Sequence, residues 1–197
     1  MKTSRAVKGL LLFPGAGTSS SHASLVHLDK ALAPLPVRRA DFPYRLAGRK
    51  APDRPPVLLE TVRAEATAFA GSLKTKPDKL VLGGRSMGGR MCSMAVAGGE
   101  GIGDRLPAAG LVLMSYPLHP PGRPETLRVE HLPRLEVPCL FIQGTRDTFG
   151  TRAELERWTA TIPGLVTHVW LEGKGHDLKG ADAAIAAAVQ EWLRSLT

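Results

Sequence analysis

Six short apolar runs, each closed off by Gly, Pro or Asp, recur along the 197-residue chain: GLLLF (9–13), VRRADF (37–42), KLVLGG (79–84), AGLVLMSY (109–116), VPCLFIQG (137–144) and VTHVWLEG (166–173). Most of them lack the apolar/polar alternation of a strand with one wet face, so they need cover on both sides. Helical spacing fills the intervals. Leu59, Val62, Ala66, Phe69 and Leu73 step by three and four residues, and Ile185, Ala188, Val189, Trp192, Leu193 and Leu196 form a second stripe near the C-terminus. Strands alternating with helices predict an α/β fold: a mostly parallel six-stranded sheet with helices on both faces. With 43% hydrophobic residues and no break in composition, residues 1–197 read as a single domain.

In sheets of this kind chemistry gathers at the carboxyl ends of the strands. Three residues with catalytic side chains fall there. Ser86 follows the third run inside GGRSMGG, Asp147 follows the fifth inside GTRD, and His176 follows the sixth inside GKGHD. With 21 glycines in the chain, G-x-S-x-G would arise by chance about 0.1 times, so the motif needs context. Each residue also has a plain alternative: a helix cap for Ser86, a cap for the segment near Thr151 in the case of Asp147, a solvated loop residue in the case of His176. The order Ser, Asp, His after successive crossovers favours catalysis, because a nucleophile, a base and an orienting carboxylate all reach the same sheet edge. Gly84 and Gly88 remove side chains that would collide where a strand reverses directly into a helix. His22 and His119 are rival bases or substrate contacts, with His131 expected near them, while His27 and His168 read as structural.

On these residues the chain resembles the α/β-hydrolase superfamily, with Gly84-Arg85-Ser86-Met87-Gly88 as its nucleophile elbow. More narrowly, FPYRLAGRKAPDRP, GRSMGGRM, YPLHPPGRPETLR and GTRD are similar to a small dienelactone-hydrolase-like family. That family contains a testis-expressed protein and a subunit of the NSL histone-acetyltransferase complex. The resemblance implies Ser86 as nucleophile, Asp147 and His176 as its acid and base, and an oxyanion hole from the amides of Ala16 and Met87. Pro14 in FPGAG lacks an amide hydrogen, so the donor on that side is Ala16 or Gly17. Only eight residues precede the first run, which leaves no room for the antiparallel strand pair that often opens the superfamily's sheet. The helical cap that relatives insert before the acid would fall at 117–136, where five prolines oppose a long helix; a minimal, lidless form with a preference for short acyl groups is expected. The expected activity is hydrolysis of a small ester or thioester through an acyl-enzyme, without cofactor or metal. The competing reading is a non-catalytic binding or scaffold module of the same fold.

The formal charge of +8 draws anions without specifying them. Arg85, beside the serine, and Arg123, in the proline-rich loop, are the expected substrate contacts for an anionic group, with His119 a further contact at the pocket rim; the alternative for Arg85 is a structural pair with a neighbouring acid. The basic stretch Arg45, Arg49, Lys50, Arg54 has little aromatic interleaving, and aromatic residues make up only 5% of the chain, which argues against nucleic acid. Cys92 and Cys139 sit in apolar runs and read as buried core thiols, in keeping with the cytoplasm. The start carries Lys2, Arg5 and Lys8, but its apolar run is too short for a signal peptide, and no run approaches the roughly 18 residues of a membrane span.

Overall fold

The computed structural model describes residues 6–196; Lys2 and Arg5 of the basic start lie outside the described residues. The six runs form β1 (Gly9–Phe13), β2 (Val37–Arg39), β3 (Leu80–Arg85), β4 (Gly110–Met114), β5 (Cys139–Gly144) and β6 (Val166–Leu171). They assemble in the order β2-β1-β3-β4-β5-β6, every neighbouring pair parallel. Between them run α1 (Ala23–Ala31), α2 (Pro43–Leu46), α3 (Pro55–Ser72), α4 (Met87–Ala97) and α5 (Arg152–Thr159), and α6 (Asp182–Ser195) follows β6.

Side chains alternate across the central strands, and both faces are apolar. Leu11, Phe13, Leu82, Leu111, Leu113 and Phe141 pack with Leu59, Val62, Ala66 and Phe69 of α3 and with Met91, Cys92 and Ala95 of α4. Leu10, Leu12, Val81, Val112, Met114, Leu140 and Ile142 pack with Leu25 and Leu28 of α1 and Ile185, Val189 and Trp192 of α6. This double burial is why the strands show no polar face in the sequence, and each such side chain contributes about 1.5–3 kcal/mol. Cys92 and Cys139 are buried free thiols, and burial pushes the Cys139 thiol up to about 12.

Three strands end earlier than their runs, β6 at Leu171, where Glu172 and Gly173 form a turn. β2 stops at Arg39 because Asp41 turns out of the ladder to accept the Ser20 amide and hydroxyl at 2.7 and 2.6 Å, and Pro43 opens α2. β4 stops at Met114 because Ser115 takes a left-handed φ of 52°. Between β4 and β5, the described residues hold a single 3-10 turn, Leu132–Arg134, and no α-helix. Among the described residues no helix is long and apolar enough to cross a membrane.

The strand order reverses between β1 and β3. The chain leaves β1 toward β2 on one side and returns to β3 on the other, so the loops after β1 and β3 splay apart and leave a crevice at the carboxyl edge.

Candidate active site

Ser86 stands where β3 turns into α4. Its backbone sits at φ 47° and ψ −116°, a region that costs a non-glycine residue on the order of 1–3 kcal/mol. Its side chain makes no cap hydrogen bond to α4, which removes the helix-cap alternative. The glycines are dictated by packing. A Cβ on Gly84 would strike the carbonyl oxygen of Phe13, and one on Gly88 would strike the carbonyl oxygens of both Phe13 and Pro14. The β1 loop therefore lies directly against the turn, and a Cβ on Gly15 would come within 3.6 Å of Ser86 Cβ.

His176 Nε2 lies 2.9 Å from Ser86 Oγ, and its Nδ1 lies 2.9 and 3.0 Å from the two carboxylate oxygens of Asp147. With the Nδ1 hydrogen given to the carboxylate, Nε2 is the acceptor that faces the serine hydroxyl. Phe149 stacks on the imidazole with ring centres 3.8 Å apart, so His176 is pinned on a face as well as at both nitrogens. Asp147 is buried. Its carboxylate also accepts the Phe149 amide and the Gln143 side-chain amide, each at 2.8 Å. The cap of α5 is Thr151, which forms a reciprocal capping box with Glu154, so Asp147 has no capping duty there.

Gln143 has no counterpart in the sequence reading. It is the last side chain of β5 before Gly144, lies buried, and accepts the Tyr116 amide at 2.8 Å while donating to Asp147. A lone amide in the apolar run CLFIQG, four residues before the acid, is the signal that could have disclosed it.

Arg85 is buried beside the serine, and its guanidinium is committed. One terminal nitrogen meets the His22 ring, 2.5 Å from Nε2, and the other donates to the carbonyls of His176 and Asp177 at 3.3 and 2.7 Å. It ties the loop that carries His176 to the start of α1. Burial, and then the Arg85 charge, lower the His22 pKa, and that ring also bonds Ser24 Oγ at 2.8 Å.

A cavity of about 680 Å³ opens over Ser86. Ala16, Met87, Arg85, His22 and His176 line it, with Leu58, Met87 and Met91 supplying apolar wall. Neither Ala16 nor Met87 donates its amide to another described residue, and the Tyr44 hydroxyl fixes the Ala16 carbonyl at 2.8 Å. His119 and Arg123 are not brought to this cavity. The His119 amide is bonded to Phe149 O, its Nδ1 faces the Pro120 carbonyl and its Nε2 faces Glu154, which draws the ring beneath the loop. Arg123 occupies an exposed turn closed between Pro120 and Thr126. His131 is buried 2.8 Å from Ser93 Oγ, its pKa lowered to about 3 by burial and then by Arg90 and Arg134. Among the described residues no three His, Cys, Asp or Glu side chains are grouped to hold a metal ion.

This parallel sheet, with a glycine-fenced serine at the β3–α4 turn, defines the α/β-hydrolase fold. The chain belongs to the alpha/beta hydrolase domain family, which it matches over residues 6–194. Among solved structures it is similar to Est1E from Butyrivibrio proteoclasticus, with a TM-score of 0.72 at 15% identity, covering 99% of this chain and 90% of that one. A protein of the α/β superfamily from Xanthomonas campestris pv. campestris gives 0.69 at 20% identity, covering 95% and 99%. Dienelactone hydrolase from Anabaena variabilis gives 0.69 at 17% identity, covering 96% and 87%. At these identities the likeness is one of fold.

Proposed function

We propose that the chain is a serine hydrolase that cleaves a small ester or thioester. One observation carries this reading: the unbroken line from the Asp147 carboxylate through His176 to Ser86 Oγ, with the serine held on a strained backbone. A binding module would gain nothing from that strain.

In the proposed reaction Ser86 Oγ forms a bond to the substrate carbonyl carbon while its proton passes to His176 Nε2. The imidazolium is stabilised by Asp147, which keeps its own negative charge. The amides of Ala16 and Met87, the latter at the N-terminus of α4, are the donors offered to the developing oxyanion. Collapse breaks the bond to the leaving group, which takes the proton from His176. Water, losing a proton to His176, then attacks the acyl carbon, and as the bond to Ser86 Oγ breaks His176 passes that proton to the serine oxygen. Side chains and water carry every bond change in this scheme, and it calls for no cofactor.

The described residues between β4 and β5 form no α-helix that would cap the cavity, and on that ground small acyl groups are expected to be preferred. Each methylene left in water forgoes about 0.8 kcal/mol, and kcat/KM along an aryl-ester series should level off beyond short chains. The deciding experiment is labelling by a fluorophosphonate probe. The wild-type chain should take the label at Ser86 and Ser86→Ala should not; absence of label from the folded wild type overturns the proposal.

A further inference from the structure

Three arginines line the cavity, and only one is spoken for. Arg85 is tied to His22 and to two carbonyls. Arg90 and Arg128 have no side-chain hydrogen bond and no carboxylate within 4.0 Å among the described residues, and Arg90 Nε is buried without a partner. Neither acid of the cavity wall, Asp53 or Asp177, pairs with Arg90 or Arg128. Asp53 pairs through Oδ1 with Arg49 at 2.6 Å, leaving Oδ2 unpartnered, and Asp177 Oδ1 accepts the Lys179 amide at 3.2 Å.

The two free cations are also close enough to disfavour each other. Burial and then the Arg90 charge lower the pKa of Arg128. Like charges in a partly desolvated pocket are costly unless an anion joins them. Both side chains stand on anchored backbone. Arg90 lies one helical turn after Ser86 on α4, its amide bonded to Ser86 O at 3.0 Å, about 5.4 Å along the axis. Helical side chains lean toward the N-terminus, which tips this guanidinium toward the serine. Arg128 is fixed through its amide to Leu118 O at 2.9 Å and through its carbonyl to the Tyr116 hydroxyl at 2.8 Å.

We infer that Arg90 and Arg128 form an oxyanion-binding subsite that selects substrates bearing a carboxylate or phosphate roughly one helical turn from the scissile carbonyl. Guanidinium forks suit either anion, since both offer paired oxygens. The subsite names the substrate class for the hydrolase reading and rests on that reading for its role in turnover, whereas anion binding itself does not require turnover.

The test separates the two. Binding of glutarate and of inorganic phosphate to the Ser86→Ala protein is measured by calorimetry at low salt, alone and with Arg128→Gln, with Arg90→Gln plus Arg128→Gln, and with Lys at both positions. At least one probe should bind, Arg128→Gln should weaken it, the double Gln variant should weaken it at least tenfold, and the Lys pair should recover part of the loss. The tighter probe identifies which anion the site takes. In parallel, wild-type kcat/KM is compared for 4-nitrophenyl hydrogen glutarate and its methyl ester, with a preference for the anionic ester of at least tenfold expected. Failure of both probes to bind, or equal binding by the folded Arg128→Gln and double Gln proteins, overturns the subsite. Arginine-dependent binding without any ester turnover upholds the subsite and removes the hydrolase reading. Ser86-dependent turnover that treats the two esters alike, with binding untouched by the Gln variants, does the reverse.

Discussion

Gln143 holds Asp147 from one side as His176 does from the other: its Nε2 donates to Asp147 Oδ2 at 2.8 Å, and its Oε1 accepts the amide of Tyr116. The carboxylate is thus aimed by β5 itself. Gln143→Leu should strip the buried Tyr116 amide of its acceptor, at about 1–3 kcal/mol of stability, and let the carboxylate turn. Thermal melting should register the first effect, and kcat for a simple aryl ester should fall at least tenfold in the protein that remains folded.

Ser86→Gly should separate stability from chemistry. Glycine tolerates the positive φ at this turn, so relief of backbone strain should raise stability by up to about 1 kcal/mol. Ester hydrolysis should fall to below about one part in a thousand of wild type, as it should for Ser86→Ala, where only an oxyanion hole remains. A denaturant midpoint and a progress curve on the same sample check both.

Arg85→Gln cuts the tie between the His22 region and the loop of His176. The expected result is a lower kcat with KM for an anionic ester little changed, because the guanidinium's terminal nitrogens are committed inside the protein. A rise in KM confined to anionic esters would instead make Arg85 a substrate contact.

Gly84→Ala and Gly88→Ala should each cost several kcal/mol and depress the yield of folded protein, since the new methyl group meets backbone that cannot yield. Gly71→Ala is the control. It lies in α3 with open space around it and should stabilise the chain by about 0.5–1 kcal/mol.

Acid should weaken the fold through His131. Its folded pKa of about 3 lies below the ordinary histidine value of about 6.5. Between those values the unfolded chain binds a proton that the folded chain refuses, so stability falls as pH falls, by up to about 1.4 kcal/mol per pH unit, and the contribution is fully present above the upper value. His131→Gln should flatten the acid limb of a stability–pH curve measured from pH 7 to pH 4.

Residues that follow a strand directly were legible in advance. The positions of Ser86, Asp147 and His176 are fixed by strand ends, and strand ends are marked by apolar runs and glycines. His119 and Arg123 show the limit of such reading. Their loop returns to bond Phe149 O, a long-range contact without local pattern, and so it carries Arg128 rather than Arg123 to the cavity. Gln143 was hidden for another reason: inside a strand its partners belong to neighbouring elements, and only the sheet order tells which.

The sheet order also governs how the chain is born. β1 is flanked by β2 and β3, and its register with β3 pairs Gly9 with Leu80 through Phe13 with Gly84. A ribosome adding on the order of 5–20 residues per second needs several seconds after β1 emerges before β3 can meet it. Throughout that interval GLLLF, whose side chains are wholly buried in the finished protein, has the backbone edge that β3 will pair uncovered, and its two faces still lack α4 and α6. The nascent chain is therefore most vulnerable to aggregation before residue 80 is made, and a shielding factor acting on the first strand would raise the yield of folded protein more than one acting on the last.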